Sequence, residues 1–314
     1  MLRNQKRYQN LDNINALKSY KDVQKWQRER SRKKRAESYI VPQATHKEIE
    51  FLQKNRTQAT VTWIGHATFL IQCAGLNLIT DPVFAQYLGL FKRLSAPGLS
   101  IEDLPPIDAV LISHAHDDHF NFRSIRALPG QPKLLVPEGL AVMMKRKGFK
   151  DVAELSWWQT HEIGNATFIF VPAQHWTRRT LWDTNTSHWG GWIIRDRELG
   201  STIYFAGDSG YFRGFKAIQE ACSPIDAALL PIGAYDPEWF MKEAHMTPEE
   251  AVQAYLDLEA GHFIPMHYGT FRLADDTAEE AVSRLSREWT RLNLPMNRLH
   301  VLKLGETFRI NHAV

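Results

Sequence analysis

The 314-residue sequence predicts an α/β fold in which two β-sheets are sandwiched between helices. Three observations carry this. From Thr60 onward the chain is a series of short runs rich in β-branched and aromatic residues, bounded by turn formers. Segments with helix start signals fall between those runs instead of collecting at one end. The apolar run Asp108-Ala109-Val110-Leu111-Ile112, a buried strand by composition, empties into the polar loop Ser113-His114-Ala115-His116-Asp117-Asp118-His119.

Taken in order, residues 1–57 are polar and poor in branched aliphatics, and they read as an N-terminal arm ahead of a main domain over 58–314. The block Lys25-Trp26-Gln27-Arg28-Glu29-Arg30-Ser31-Arg32-Lys33-Lys34-Arg35 makes the arm basic. It suits a solvated helix or arm lying across the main domain, a contact for anionic lipid head groups, where each basic residue contributes about 1 kcal/mol, or, third, a contact for nucleic acid. Strands are expected at 61–73, 76–80, 109–112, 133–136, 167–171, 192–195, 202–205, 227–230, 263–266 and 300–304. Helices are expected at 138–147 and 214–221. In Thr247-Pro248-Glu249-Glu250, Thr247 can cap, Pro248 fits the first helical position and Glu250 closes a capping box, with a stop near Gly261. Thr277-Ala278-Glu279-Glu280 repeats the signal for a last helix running to about Asn293. Residues 83–101 form a loop-like insertion carrying Phe84, Tyr87, Leu88, Leu90, Phe91 and Leu94 beside Lys92 and Arg93. An apolar cluster edged with cations suits a bilayer interface, a lid or a homodimer contact.

Composition excludes some functions. A net charge of +3 gives no global field that would attract nucleic acid. Cys73 and Cys222 have no ligand-type spacing and make at most one bridge, so a reducing compartment is the simpler reading. No uncharged apolar run approaches the roughly 20 residues of a membrane span, and the start has no apolar signal core. A cytoplasmic protein, soluble or peripheral to a membrane, is expected.

The 113–119 loop has the chemistry of a metal site. In an extended segment His114, His116 and Asp118 point one way, and a turn after Asp118 brings His119 round. Imidazole and carboxylate donors together suit zinc and leave manganese and iron open, whereas calcium wants oxygen ligands almost alone. Two imidazoles and a separate carboxylate-imidazole pair can serve two ions.

The pattern His-x-His-x-Asp-His resembles that of the metallo-β-lactamase superfamily, and the likeness covers roughly residues 58–310. It extends to Trp63-Ile64-Gly65-His66-Ala67-Thr68, Thr80-Asp81-Pro82, Gln174-His175-Trp176, Phe205-Ala206-Gly207-Asp208-Ser209-Gly210-Tyr211, Pro231-Ile232-Gly233-Ala234-Tyr235 and His267-Tyr268-Gly269-Thr270-Phe271. This assortment looks like the branch containing N-acylphosphatidylethanolamine-hydrolysing phospholipase D. The resemblance implies an αββα sandwich and a two-metal site. It gives His114, His116 and His175 to one ion, Asp118, His119 and His267 to the other, and Asp208 to both. His175, Asp208 and His267 each follow an apolar run, which puts them at one edge of the sandwich.

The implied activity is hydrolysis of a phosphodiester, with Asp118, Asp208 and His245 as catalytic residues and a phospholipid as substrate. Two close divalent ions hold one water and lower its pKa, and the resulting hydroxide attacks phosphorus. In the phospholipase D branch the position of His245 faces substrate, which would let it polarise the phosphate or protonate the leaving group. A lactonase or other carboxyl-ester hydrolase on the same fold, and a metal-stabilised lipid-binding protein, are the alternatives. Asp81 is read as an acceptor orienting a ligand imidazole or as a turn residue. His66, in an otherwise apolar strand, is read as a core or a functional histidine. Arg178 and Arg179 suit an anionic head group or a solvated pair, and Trp157 and Trp158 are expected in the core.

Overall fold

A computed structural model describes residues 6–32 and 39–310. Lys33, Lys34 and Arg35 of the basic block lie outside the described residues. The arm begins as an extended strap with Tyr8, Asn10 and Ala16 buried, and continues as α1 (Tyr20–Arg32). After α2 (Ile49–Lys54) come β1 (Thr60–Gly65) and β2 (Thr68–Cys73), an antiparallel hairpin where one strand over 61–73 was expected. Unbroken apolar alternation hides the reversal. It falls at Gly65 (φ +136°) and His66 (φ +57°), and the His66 N–H donates to Thr270 Oγ1 at 2.7 Å to hold it.

The chain continues through β3 (Leu76–Thr80), the short ribbon β4 (Tyr87–Leu88) and β5 (Phe91–Lys92), β6 (Ile107–Leu111), α3 (Phe122–Ala127), β7 (Gly130–Pro137), α4 (Ala141–Arg146) and β8 (Val152–Leu155). The second half holds β9 (Thr160–Ile163), β10 (Ala166–Val171), β11 (Gly191–Asp196), β12 (Thr202–Phe205), α5 (Gly214–Cys222), β13 (Ala227–Pro231), α6 (Glu238–Met241), α7 (Pro248–Asp257), β14 (His262–Met266), α8 (Ala278–Arg291) and β15 (Thr307–Arg309). One mixed sheet runs β15-β1-β2-β3-β6-β7-β8 and the other β14-β13-β12-β11-β10-β9. Residues 300–304 are not a regular strand. Leu304 makes an isolated bridge to Gln43, and Gly305 (φ +82°) turns the chain before the true last strand, β15.

Burial on both faces explains the near-continuous apolar strands. Trp63, Phe69, Ile71, Leu78, Ala109 and Leu111 join the core between the sheets, while their neighbours Ile64, Leu70, Ile79 and Val110 pack with Leu52, Ile125 and Met144 of α2, α3 and α4. Phe215, Val252, Tyr255, Leu285 and Trp289 bring α5, α7 and α8 against the other sheet. The helix signals read from sequence are realised. Thr247 Oγ1 accepts from Glu250 N (3.2 Å) while the Glu250 carboxylate accepts from Thr247 N (2.9 Å), and Thr277 caps α8 through Glu280 N. α7 ends at Asp257, ahead of Gly261. No helix among the described residues is long and apolar enough to cross a membrane.

Candidate metal centre

The site sits where β3, β6, β12 and β14 end. Asp81, just past β3 and fully buried, organises it. Its Oδ1 accepts from Ser113 N (2.7 Å), and its Oδ2 accepts from Ser113 Oγ (2.5 Å) and from His119 Nδ1 (2.7 Å). Ser113 Oγ, having donated to Asp81, accepts from His114 Nδ1 at 2.9 Å. His175 Nδ1 donates to the Ala244 carbonyl at 2.9 Å. Three imidazoles thus have Nδ1 tied to oxygen, which leaves each Nε2 lone pair available to a metal. The sheets approach closely here: a Cβ on Gly207 (φ +61°) would stand 2.5 Å from Ser113 Cβ, so only glycine lets β12 run this near the loop before Asp208.

The donors named from sequence converge. His116 Nδ1 lies 2.9 Å from His114 Nε2 and 3.2 Å from His175 Nε2. His119 Nε2 and His267 Nε2 are 3.1 Å apart, with Asp118 Oδ2 at 3.4 and 3.6 Å from them. Asp208 lies between the groups, with Oδ2 3.2 Å from His119 Nε2 and 3.9 Å from His175 Nε2, and Oδ1 3.1 Å from His267 Nε2. Ligands about 2.0–2.1 Å from one tetrahedral ion stand about 3.3 Å apart, so these spacings fit donors that share an ion.

Charge supports the same fit. Burial pushes the Asp118 and Asp208 carboxyls up, but the neighbouring imidazoles, His119 first, hold both well below the usual range. Burial alone lowers His119 and His267, yet Asp208 and Asp118 raise His119 well above its ordinary value and His267 to about 9. His114 and His175 are held low by burial, and His116 falls to about 4. The buried Asp208 and the partly buried Asp118, both ionised, therefore call for nearby positive charge. Divalent cations would supply it and release the protons that His119 and His267 otherwise hold.

Other residues are sorted by the geometry. His245 reaches this centre, its Nδ1 3.8 Å from Asp208 Oδ2 and without a hydrogen bond among the described residues. Burial first keeps it neutral, lowering its pKa to about 4. His66, placed at a hairpin turn, sets Nε2 3.0 Å from Asp118 Oδ2 and groups with Asp118, His119 and His267. Arg179 is no solvated partner of Arg178: it donates to the Ala115 and Phe120 carbonyls at 2.8 Å and pairs with Asp117 at 2.6 Å, clamping the histidine loop. Arg178 is exposed and lies over Trp176. Arg93, expected at a cationic edge, turns inward, donating to the Val83 and Ala85 carbonyls beneath its loop. Trp157 is partly buried against His188, but Trp158 is 42% exposed and is not core. Both cysteines are buried and free.

Residues 76–268 match a family model described as a beta-lactamase superfamily domain. The chain belongs to the metallo-β-lactamase superfamily. A metal-dependent hydrolase of Methanopyrus kandleri is 31% identical over 252 residues, covering 79% of this chain and 98% of that protein. N-acyl-phosphatidylethanolamine-hydrolyzing phospholipase D 1 of Caenorhabditis elegans is 37% identical over 230 residues, 67% of this chain, and the mitochondrial phospholipase D of that name from Saccharomyces cerevisiae is 34% identical over 262 residues, 78% of this chain. The chain spans 64% and 55% of the lengths of those two proteins. The isothiocyanate hydrolase from Delia radicum gut bacteria shares the fold, with a TM-score of 0.65 at 20% identity over 80% of this chain and 99% of that one.

Proposed function

We propose that the chain is a two-metal phosphodiesterase acting on a phospholipid at a membrane surface, of the N-acylphosphatidylethanolamine class. The observation that supports this is a cavity of about 880 Å³ shared by the donor cluster and an apolar wall. His116, Asp118, Asp208, His245 and His267 line it together with Leu17, Val23, Trp26, Leu90, Phe240 and Leu273. Such a volume suits a lipid-sized ligand. Arg178 belongs to the same lining and offers charge to a phosphate.

In this reading His114, His116 and His175 would hold one divalent ion and Asp118, His119 and His267 a second, with Asp208 within reach of both groups. Zinc is favoured by the donors, with manganese or iron accepting the same set. Divalent ions held by these residues would supply a water of lowered pKa and positive charge opposite the phosphoryl group. Ser113, Asp81 and Ala244 keep the ligand rings aimed inward. His245, neutral and with Nδ1 unpaired, donates to a phosphoryl oxygen or to the leaving oxygen. The apolar wall takes acyl chains and keeps solvent from the diester. Tyr87, Leu90 and Phe91 stand exposed at the ribbon tip, Leu90 at 99%, and insert at the bilayer interface, so membrane association is peripheral.

The test is turnover of N-acylphosphatidylethanolamine vesicles by zinc-loaded protein in ¹⁸O-water. Release of N-acylethanolamine, label in the phosphatidic acid, and loss of both in Asp208→Asn are expected. Label in the alcohol rules out attack at phosphorus. Absence of turnover with metal bound moves the activity to a soluble diester or a lactone.

A further inference from the structure

The N-terminal strap reaches the metal centre through one side chain. Asn10 is buried, and its amide is fully used. Oδ1 accepts from His175 N (3.0 Å) and Trp189 Nε1 (2.9 Å), while Nδ2 donates to the His175 carbonyl (2.9 Å) and the Ile14 carbonyl (3.0 Å). The two bonds to His175 fix which end of the amide is oxygen, because its N–H must meet an acceptor and its C=O a donor. A local role does not explain this geometry. Asn10 precedes the short turn Leu11–Asn13, yet its side chain makes no capping bond there.

A second contact from the same strap acts on the other side of His175. Lys18 pairs with the Glu243 carboxylate. Glu243 precedes Ala244, whose carbonyl accepts from His175 Nδ1, and the Glu243 carbonyl itself accepts from Gln174 Nε2 at 3.1 Å. The strap therefore grips the His175 backbone directly and steadies the segment that sets its ring tautomer.

We propose that Asn10 is a positioning residue of the metal centre, clamping the peptide of His175 so that Nε2 stays aimed at the ion shared with His114 and His116. This rests on the reading of His175 as a ligand, though not on the identity of the substrate. An aliphatic residue at position 10 leaves the His175 N–H and C=O unpaired in a buried place, and an aspartate keeps the acceptor while losing both donors. Partners that orient a ligand in this way are typically worth 10–100-fold in metal affinity.

The experiment loads the full chain with cobalt(II), follows the visible bands of the bound ion and titrates with a chelator. Asn10→Ala is expected to release one class of cobalt at 10–100-fold lower chelator concentration, and Asn10→Asp to shift in the same direction. His175→Ala is the reference, and it should lose that class altogether. Asp12→Ala, which breaks the exposed pair with Arg213, is the control for loosening the arm and should leave cobalt release unchanged. Should Asn10→Ala fail to fold, Asn10→Asp decides alone. Unchanged release in the folded Asn10 variants, or an equal shift in Asp12→Ala, overturns the positioning role while leaving His175 a ligand. Full cobalt retention in His175→Ala removes the ligand assignment and the Asn10 role with it.

Discussion

Replacing Asp81 by asparagine changes one atom and should disarm His119. Oδ1 of Asp81 faces the Ser113 N–H at 2.7 Å, while Oδ2 faces Ser113 Oγ at 2.5 Å and His119 Nδ1 at 2.7 Å. An amide cannot serve both sides as acceptor. With its NH₂ toward Ser113 N a donor meets a donor, and with its NH₂ toward His119 the ring must turn Nδ1 into an acceptor. The second arrangement moves the ring proton to Nε2, the atom 3.1 Å from His267 Nε2 and 3.2 Å from Asp208 Oδ2. A protonated Nε2 cannot ligate. Loss of an orienting partner of this kind costs 10–100-fold in metal affinity, or about 1.4–2.7 kcal/mol. Competition of zinc-loaded protein with a chromophoric chelator reads the affinity, and ¹⁵N chemical shifts of His119 in the zinc-loaded protein read which ring nitrogen carries the proton. An Asp81→Asn variant that keeps both its metal affinity within twofold and the Nδ1–H tautomer would refute the argument.

Three further outcomes are expected. Burial against Tyr8 and Trp157 lowers the His188 pKa from 6.5 to about 3, so as pH falls below about 6.5 the unfolded chain takes the proton first and stability is lost down to about pH 3. Urea unfolding of the metal-free protein between pH 6 and pH 4 should therefore be steeper in pH than that of His188→Asn by about 1.4 kcal/mol per unit, and parallel curves sink the idea. Thr247→Ala removes half of the reciprocal cap on α7 and should lower stability by about 1 kcal/mol; a change below a few tenths means water replaces the cap without loss. Leu90→Ser at the exposed ribbon tip should weaken sedimentation with phospholipid vesicles about 10–150-fold, since burying a leucine contributes about 1.5–3 kcal/mol. Unchanged sedimentation would show that this tip stays out of the bilayer.

Much of this molecule is legible in its sequence for local reasons. Strands such as 202–205 and 227–231 announce themselves because both faces are buried, and α7 and α8 carry their caps within four residues. The histidine loop is legible because so many donors within so few positions suit little else. What escaped depends on distant partners. The reversal at Gly65 and His66 is masked by apolar residues on both sides, and its stabilising bond comes from Thr270. β8 and β9, at the outer edges of their sheets, read Val-Ala-Glu-Leu and Thr-His-Glu-Ile, too polar to stand out. Arg93 and Arg179 look like surface cations until the carbonyls that they cap are seen. Asn10 lies 165 residues from His175, and no spacing rule connects them.

The cavity joins the part of the chain that matches the superfamily model to a segment that precedes it. Every donor of the centre, from His114 to His267, falls inside residues 76–268, the stretch that matches the superfamily model. Leu17, Val23 and Trp26, which face the same space, fall outside it. The N-terminal segment thus supplies one side of the apolar lining, while Leu90 and Phe240 of the same lining fall within the stretch that carries the donors. Exchanging residues 16–26 between relatives, with Lys18 kept for its pair with Glu243, would reshape this side of the cavity without replacing any of the clustered donors.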